Sequence, residues 1–306
     1  MSRIAYFGPQ GTFTEQAARQ LRTEPAELMA ADSIEATLLL VRDGSAGAAC
    51  VPVESSVDGA VTATLDALAE GEPLVAVAEA MLPVRFSILV RDGVADASDI
   101  RTVASYPPAL VQVRQWIADH LPKAETVAAP STAGAAVAVQ RGEYDAAVTA
   151  PVAADHYPLR VYATDIADVP GAVTRFLLLR KPGQLPPMTG ADRTSVVAEV
   201  DNRVGALSAL LQELTARGIN LTRLDARPSR RRFGLYRFFV DFEGHVAEPR
   251  IGDALSALRR LSNTVRFLGS FPRADRVSAT VLPGADNADF EAAEKWLSAV
   301  RRGEDA

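Results

Sequence analysis

Through the first 180 residues short apolar runs alternate with stretches of helical period. Residues 3–7 and 48–53 read as strands around a helix at 14–21, and residues 82–90 read as a further strand. The series continues with a strand at 102–105, a helix around 109–119, a helix at 132–141, a strand at 145–150 and a closing strand at 176–179. Such alternation predicts a layered α/β domain.

Residues 181–192, KPGQLPPMTGAD, hold three prolines and two glycines with little that could pack, and read as a linker. Beyond them the pattern changes to strand 194–200, helix 204–217, strand 220–227, strand 235–242, helix 250–261 and strand 264–269. That βαββαβ order in about 80 residues is ferredoxin-like. The expected division is therefore 1–181, a linker at 182–192, a second domain at 193–273 and a tail at 274–306. In the tail, Phe290, Ala293, Trp296, Leu297 and Val300 fall at helical spacing, which predicts a helix over 288–301 packed back onto the body, with an interface helix as the alternative.

Composition narrows the function classes. The 306 residues are 48% hydrophobic and 23% charged, with a net charge of -6, so no positive field draws in nucleic acid. The basic run Arg230, Arg231 and Arg232 follows Pro228 and reads as a solvated turn. One cysteine, Cys50, excludes an intramolecular disulfide and a cysteine-based metal cluster, in keeping with a reducing cytoplasm. From Met1 the chain runs directly into a strand pattern with neither a leader nor a membrane-length apolar stretch, so the mature chain is expected to begin there, outside any membrane.

Candidate chemistry gathers at strand-to-helix junctions: Thr12 and Thr14, Ser55 and Ser56, Ser105, and Ser131 with Thr132. Helix N-termini offer free N–H groups and partial positive charge, which suit carboxylates or phosphates. Each junction alone reads as an ordinary N-cap, but four on one α/β framework converge where such sheets bind ligands. The first junction, residues 8–14, lacks both the dinucleotide glycine spacing and the P-loop lysine. His120, His156 and His245 lack metal-ligand spacing and read as structural or surface residues. No G-x-S-x-G elbow precedes a helix. By spacing alone Thr174 and Arg175 read as residues that merely precede a strand.

Taken together the segments resemble the prephenate dehydratase family. The motifs that carry the resemblance are YFGPQGTFTEQAA at 6–18, VPVESSVDGAVTATLDAL at 51–68, SYPPAL at 105–110, STAGAA at 131–136 and TRF at 174–176. Residues 201–230, DNRVGALSALLQELTARGINLTRLDARPSR, and 238–245, FFVDFEGH, resemble that family's ACT regulatory domain. The resemblance implies an α/β, bilobal, periplasmic-binding-protein-like catalytic domain, with a second lobe at about 82–160, followed by a ferredoxin-like ACT domain. It implies a lyase that needs neither cofactor nor metal and turns prephenate into phenylpyruvate in phenylalanine biosynthesis, with phenylalanine as effector and a homodimer or homotetramer as the assembly.

By the same resemblance Thr174, Arg175 and Phe176 are the catalytic motif, Thr174 protonating or positioning the leaving hydroxyl and Arg175 meeting a carboxylate or organising the site. Thr12, Phe13, Ser55, Ser56, Ser131 and Thr132 line the cleft. Asn202, Val204, Gly205, Ala206 and Leu207, with Asp225, Ala226, Arg227 and Pro228, bind the effector. The family carries asparagine, histidine and glutamine where this chain has Ser55, Tyr106 and Pro108. It reads Glu-Ser-Arg-Pro where this chain has residues 225–228, and proline at Val204. The alternatives are an arogenate dehydratase and an amino-acid sensor without turnover.

Overall fold

The computed structural model describes residues 2–229, 232 and 234–304. Met1, Arg230 and Arg231 thus lie outside the described residues, while Arg232 is exposed and ion-paired with Asp201. The chain divides into two compact units, Met1–Ala67 with Ala80–Lys181, and Leu68–Glu79 with Pro182–Ala306.

The first unit is built on two sheets. The first strands and helices are β1 (Ser2–Phe7), α1 (Phe13–Leu21), β2 (Ala26–Ala31), α2 (Ile34–Arg42), β3 (Ala48–Ser55), the short β4 (Gly59–Ala60) and α3 (Thr62–Ala69). Then β5 (Val75–Pro83) and β6 (Ser87–Val90) lead to β7 (Thr102–Ser105), α4 (Pro107–Gln112), α5 (Arg114–His120), β8 (Glu125–Ala128), α6 (Thr132–Gln140), β9 (Ala146–Thr149), β10 (Arg160–Ala163) and β11 (Val173–Arg180). One sheet runs β11-β3-β1-β2, with β1 parallel to β2 and β3 and β11 antiparallel to β3. The other runs β10-β6-β9-β7-β8, so the second lobe extends to Ala163. These two lobes are the bilobal α/β arrangement that the resemblance implies.

Three local expectations are corrected. The apolar run 82–90 is two strands: β5 ends at Pro83, whose missing N–H interrupts a ladder, and β6 begins at Ser87 in the other sheet. The helix expected around 109–119 breaks at Val113, and the second piece is capped from afar by Asp168, whose carboxylate accepts from Gln115 N and Trp116 N at 2.9 and 3.0 Å. Finally, β11 starts at Val173 rather than 176, so Thr174 and Arg175 sit inside a strand, opposite Ser55 and Glu54 of β3. Polar residues hide the start of this strand because β3 ends in polar residues as well.

In the second unit β12 (Asp192–Asp201), α7 (Ala206–Thr215), β13 (Leu221–Pro228), β14 (Leu235–Glu243), α8 (Pro249–Leu261) and β15 (Thr264–Pro272) give the ferredoxin-like order, with the antiparallel sheet β13-β14-β12-β15. Alternation turns Val196, Ala198 and Val200 on β12, and Phe238, Val240 and Phe242 on β14, toward Leu210, Leu214, Ile251 and Leu258 of the two helices. The helix expected from 204 starts at Ala206, because Gly205 adopts φ 77 at the N-cap and leaves Val204 in solvent.

The tail helix α9 (Asn287–Arg301) forms with an Asp286–Asp289 capping box. Its packing departs from expectation: Phe290 is half-buried, but Ala293, Trp296, Leu297 and Val300 are exposed, so the apolar face does not lie on the body. Spacing predicts that a face exists; only a surface to meet it decides whether it is covered.

Candidate active site

Helix starts and strand ends of the two lobes surround a cavity of about 620 Å³. Phe7, Phe13, Ile34, Val84 and Phe86 give it apolar walls, and Phe13 meets Phe86 edge to face with centroids 5.5 Å apart. A smaller pocket of about 140 Å³ holds Thr12 and Ser131 and shares Phe7, Phe13, Tyr106 and Thr132 with the larger one.

The structure separates the hydroxyls around the cavity, the predicted ones and Ser33 with them, into two groups. Thr12, Ser33 and Ser131 cap α1, α2 and α6 by accepting from Glu15 N, Ala36 N and Gly134 N. Ser55 Oγ accepts from Val57 N and Asp58 N at 3.2 and 3.1 Å, and Ser56 Oγ accepts from Val173 N at 2.9 Å. Ser105 is buried and donates to Val148 O at 2.6 Å, away from the cavity. Thr174 and Thr132 also line the cavity, one from each lobe, and neither hydroxyl is bonded to another described residue. These two remain available for chemistry.

Of the motif 174–176 only Thr174 lines the cavity. The Arg175 side chain is 3% exposed, with Nε and Nη2 each 3.1 Å from Glu54 Oε2. Phe176 is in the core. A guanidinium so buried requires a carboxylate beside it, and the Arg175–Glu54 pair ties β11 to β3 at the residues next to Thr174 and Ser55.

Sequence reasoning missed the acidic lining. Asp32, Glu35 and Asp58 face the cavity, and among the described residues that line it there is no lysine, arginine or histidine. The partial positive charge nearest the cavity is that of helix N-termini, those of α1, α2 and α6 among them. The residues after Ser33 could have been found by the Asp-Ser cap before an apolar helix, residues 32–34.

Polar contacts also bridge the lobes. Gln112 Nε2 on α4 donates to Asp58 Oδ2 at 2.8 Å, beside the cavity. Elsewhere the Tyr157 hydroxyl donates to Gln10 O at 2.7 Å, and burial, aided by the charge of Glu15, raises its phenol so that the donor proton stays in place. His156 Nε2 lies 3.0 Å from Glu15 Oε1 and 2.9 Å from Arg19 Nη2, a partnership across 141 residues that no local spacing reveals. His120 stacks on Trp116, and His245 lies 3.1 Å from Pro186 O.

In the second unit, Asn202, Gly205, Ala206, Leu207 and Ala226 line a cavity of about 390 Å³ with Arg203, Tyr236 and Phe238. Val204 is fully exposed, Asp225 is paired with Arg223 at 2.5 Å, and neither these nor Arg227 and Pro228 line that cavity.

Comparison with known proteins agrees with both units. The family model for prephenate dehydratase matches residues 4–184, and that for the ACT domain matches residues 194–260. A prephenate dehydratase of Amycolatopsis methanolica is 66% identical over 307 residues, covering 100% of each chain. Among solved structures, prephenate dehydratase from Arthrobacter aurescens in complex with L-Phe is 41% identical, covers 98% of this chain and 99% of its own, and superposes with a TM-score of 0.93. A protein described as a novel type of quorum-quenching acylase is 31% identical, covers 88% of this chain and 97% of its own, and has a TM-score of 0.79. Among the described residues no helix is long and apolar enough to cross a membrane.

Proposed function

The chain belongs to the prephenate dehydratase family, and from that premise we propose that it converts prephenate to phenylpyruvate with Thr174 as the reacting hydroxyl. The observation that carries this reading is Thr174 itself: a hydroxyl with no other partner among the described residues, held inside a strand at the wall of an apolar cavity.

The chemistry follows from what the walls supply. The ring carboxylate leaves as carbon dioxide, its bonding electrons move through the diene, and the ring hydroxyl departs as water after taking one proton from Thr174. Water then returns a proton to the threonine. Aromatisation drives the step, so the protein needs to orient the ring and deliver the proton. Phe7, Phe13 and Phe86 hold the ring, the three helix N-termini meet the carboxylates, and Thr132 binds from the opposite lobe. Thr12, Ser55, Ser56 and Ser131 act by fixing the turns and caps that frame the cavity. Arg175 acts through Glu54 as a positioning residue, and Phe176 anchors the strand in the core.

The domain assignment is a catalytic domain at 1–181, with a second lobe at about 82–160, a linker at 182–192, an ACT domain at 193–273 and a tail at 274–306. The spans of the two family models support it. Phenylalanine is the effector, bound with the help of residues 202–207 and 225–228; the L-Phe complex of the Arthrobacter aurescens relative supports this. A homodimer or homotetramer is supported by the bare apolar side chain of Val204 beside those residues, and sedimentation measures it. The single cysteine supports a cytoplasmic location.

One observation favours a second substrate. Asp32, Glu35 and Asp58 could accept an ammonium group, which arogenate carries and prephenate lacks. Phenylpyruvate and phenylalanine formation from the two substrates, each with and without added phenylalanine, tests both readings. Turnover of prephenate supports the first, turnover of arogenate alone selects the second, and turnover of neither overturns both.

The Asp58–Gln112 bond is read as a clasp on the closed cleft. Gln112→Ala is expected to raise KM about three- to tenfold and leave kcat within about twofold, the loss of one partly exposed bond to a charged acceptor. Steady-state kinetics checks it; an unchanged KM removes the clasp from the account.

A further inference from the structure

A cavity of about 450 Å³ in the second unit is used by none of these roles. It lies on the sheet face opposite the helices: because Val196, Ala198, Val200, Phe238, Val240 and Phe242 turn toward α7 and α8, Glu199 and Arg237 turn away from them. None of its lining residues belongs to the cavity formed by residues 202–207.

Arg237 is 3% exposed. Its Nε donates to Glu199 Oε2 and its Nη1 to Glu70 Oε1, both at 3.1 Å, whereas Nη2 is buried without a partner. A guanidinium carries five N–H donors, and those on Nη2 have neither protein acceptor nor open water. Arg266, also in the wall, donates to the carbonyl oxygens of Leu68, Glu70 and Gly71 at 3.0–3.3 Å. Arg237 thus meets carboxylates through Nε and Nη1 but not through Nη2, and most of the remaining lining is apolar, including Ala69, Pro73, Val75, Pro182 and Val197.

We propose that this cavity binds a small organic carboxylate with an apolar body, the carboxylate accepting from Arg237 Nη2 and the body lying against Pro73, Val75 and Val197. Charge and shape both enter this choice. A carboxylate supplies the acceptor that Nη2 lacks, and a bond from a guanidinium to a carboxylate is charge-assisted. The apolar body occupies a volume whose walls offer water too few polar partners.

Fluorine NMR of the full chain with 3-(4-fluorophenyl)propionate tests this, with the corresponding neutral alcohol as control. The expected result is a bound resonance for the acid that Arg237→Lys and Thr264→Trp each weaken about tenfold or more, while the alcohol binds at least about tenfold less tightly. Arg237→Lys keeps a charge opposite Glu199 but removes the fork that carries Nη2. Thr264 is exposed on the rim, so tryptophan there obstructs the cavity without entering a core, which keeps the test valid if the lysine variant does not fold. The same resonance is expected to survive Thr174→Val and Ala226→Trp, which address the cavity between the lobes and the cavity at residues 202–207. Equal binding of the alcohol, loss of the resonance in those two variants instead, or no binding at about 10 mM acid overturns the proposal.

Discussion

Thr174→Val is expected to lower kcat for phenylpyruvate formation by about 10²- to 10⁴-fold, the span that removal of a positioned proton donor produces. Valine preserves the β-branched shape that suits a strand, so the Arg175–Glu54 tie and the pairing with Ser55 remain. Only the hydroxyl is lost. KM is expected to change by less than about threefold, since the helix N-termini and aromatic walls still hold the substrate. Thr174→Ser, which restores a hydroxyl at the same Cβ, is expected to recover much of the rate. Purified variants assayed with prephenate decide it: kcat within about threefold of the wild type in Thr174→Val takes the proton-donor role away from this residue.

Gly269→Ala is expected to destabilise the second unit by roughly 3 kcal/mol, combining about 1–3 kcal/mol of backbone strain with about 1–3 kcal/mol of overpacking. Gly269 has φ +134, in a region that L side chains rarely adopt, and pairs with Ala76 of β5. An added Cβ would lie 2.8 Å from Ala76 N and closer still to Ala76 O. Backbone cannot swing aside as a long side chain can, so the segment 68–79 would have to part from β15. By contrast, Gly284→Ala meets open space and suffers only the strain of its φ of +78, so it is expected to cost less. Denaturant melts of the two variants give the comparison; equal stabilities would mean that the Gly269 contact relaxes without cost.

The glycines also show how far a sequence can be read. A glycine in an apolar strand marks some close approach. Nothing near Gly269 in the chain names Ala76 as the partner, because that contact spans a sequence distance over which no local pattern operates.

Periodicity carried the α/β alternation, the ferredoxin-like order of the second unit and the tail helix, since each depends on side chains repeating at 2 or 3.6 residues within one element. It could not carry breaks imposed from outside. The bend at Val113, capped by Asp168, and the passage of the run 82–90 from β5 to β6 are set by neighbours from other parts of the chain. The exposed face of α9 is the same lesson in reverse, a local pattern for which the fold supplies no covering surface.

At the candidate site the motifs determined which residues to examine, and the junction hydroxyls were legible one by one as caps or ligands. Their division of labour was not. Thr12, Ser55, Ser56 and Ser131 bond to backbone while Thr174 and Thr132 do not, and Thr174 faces the cavity while Arg175 is buried against Glu54. By itself the sequence determined the elements and the kinds of chemical group on them. Tertiary structure alone decided which polar groups keep a free valence and which carboxylates gather beside them, because hydrogen bonds are exhausted by whichever partners folding brings within about 3 Å.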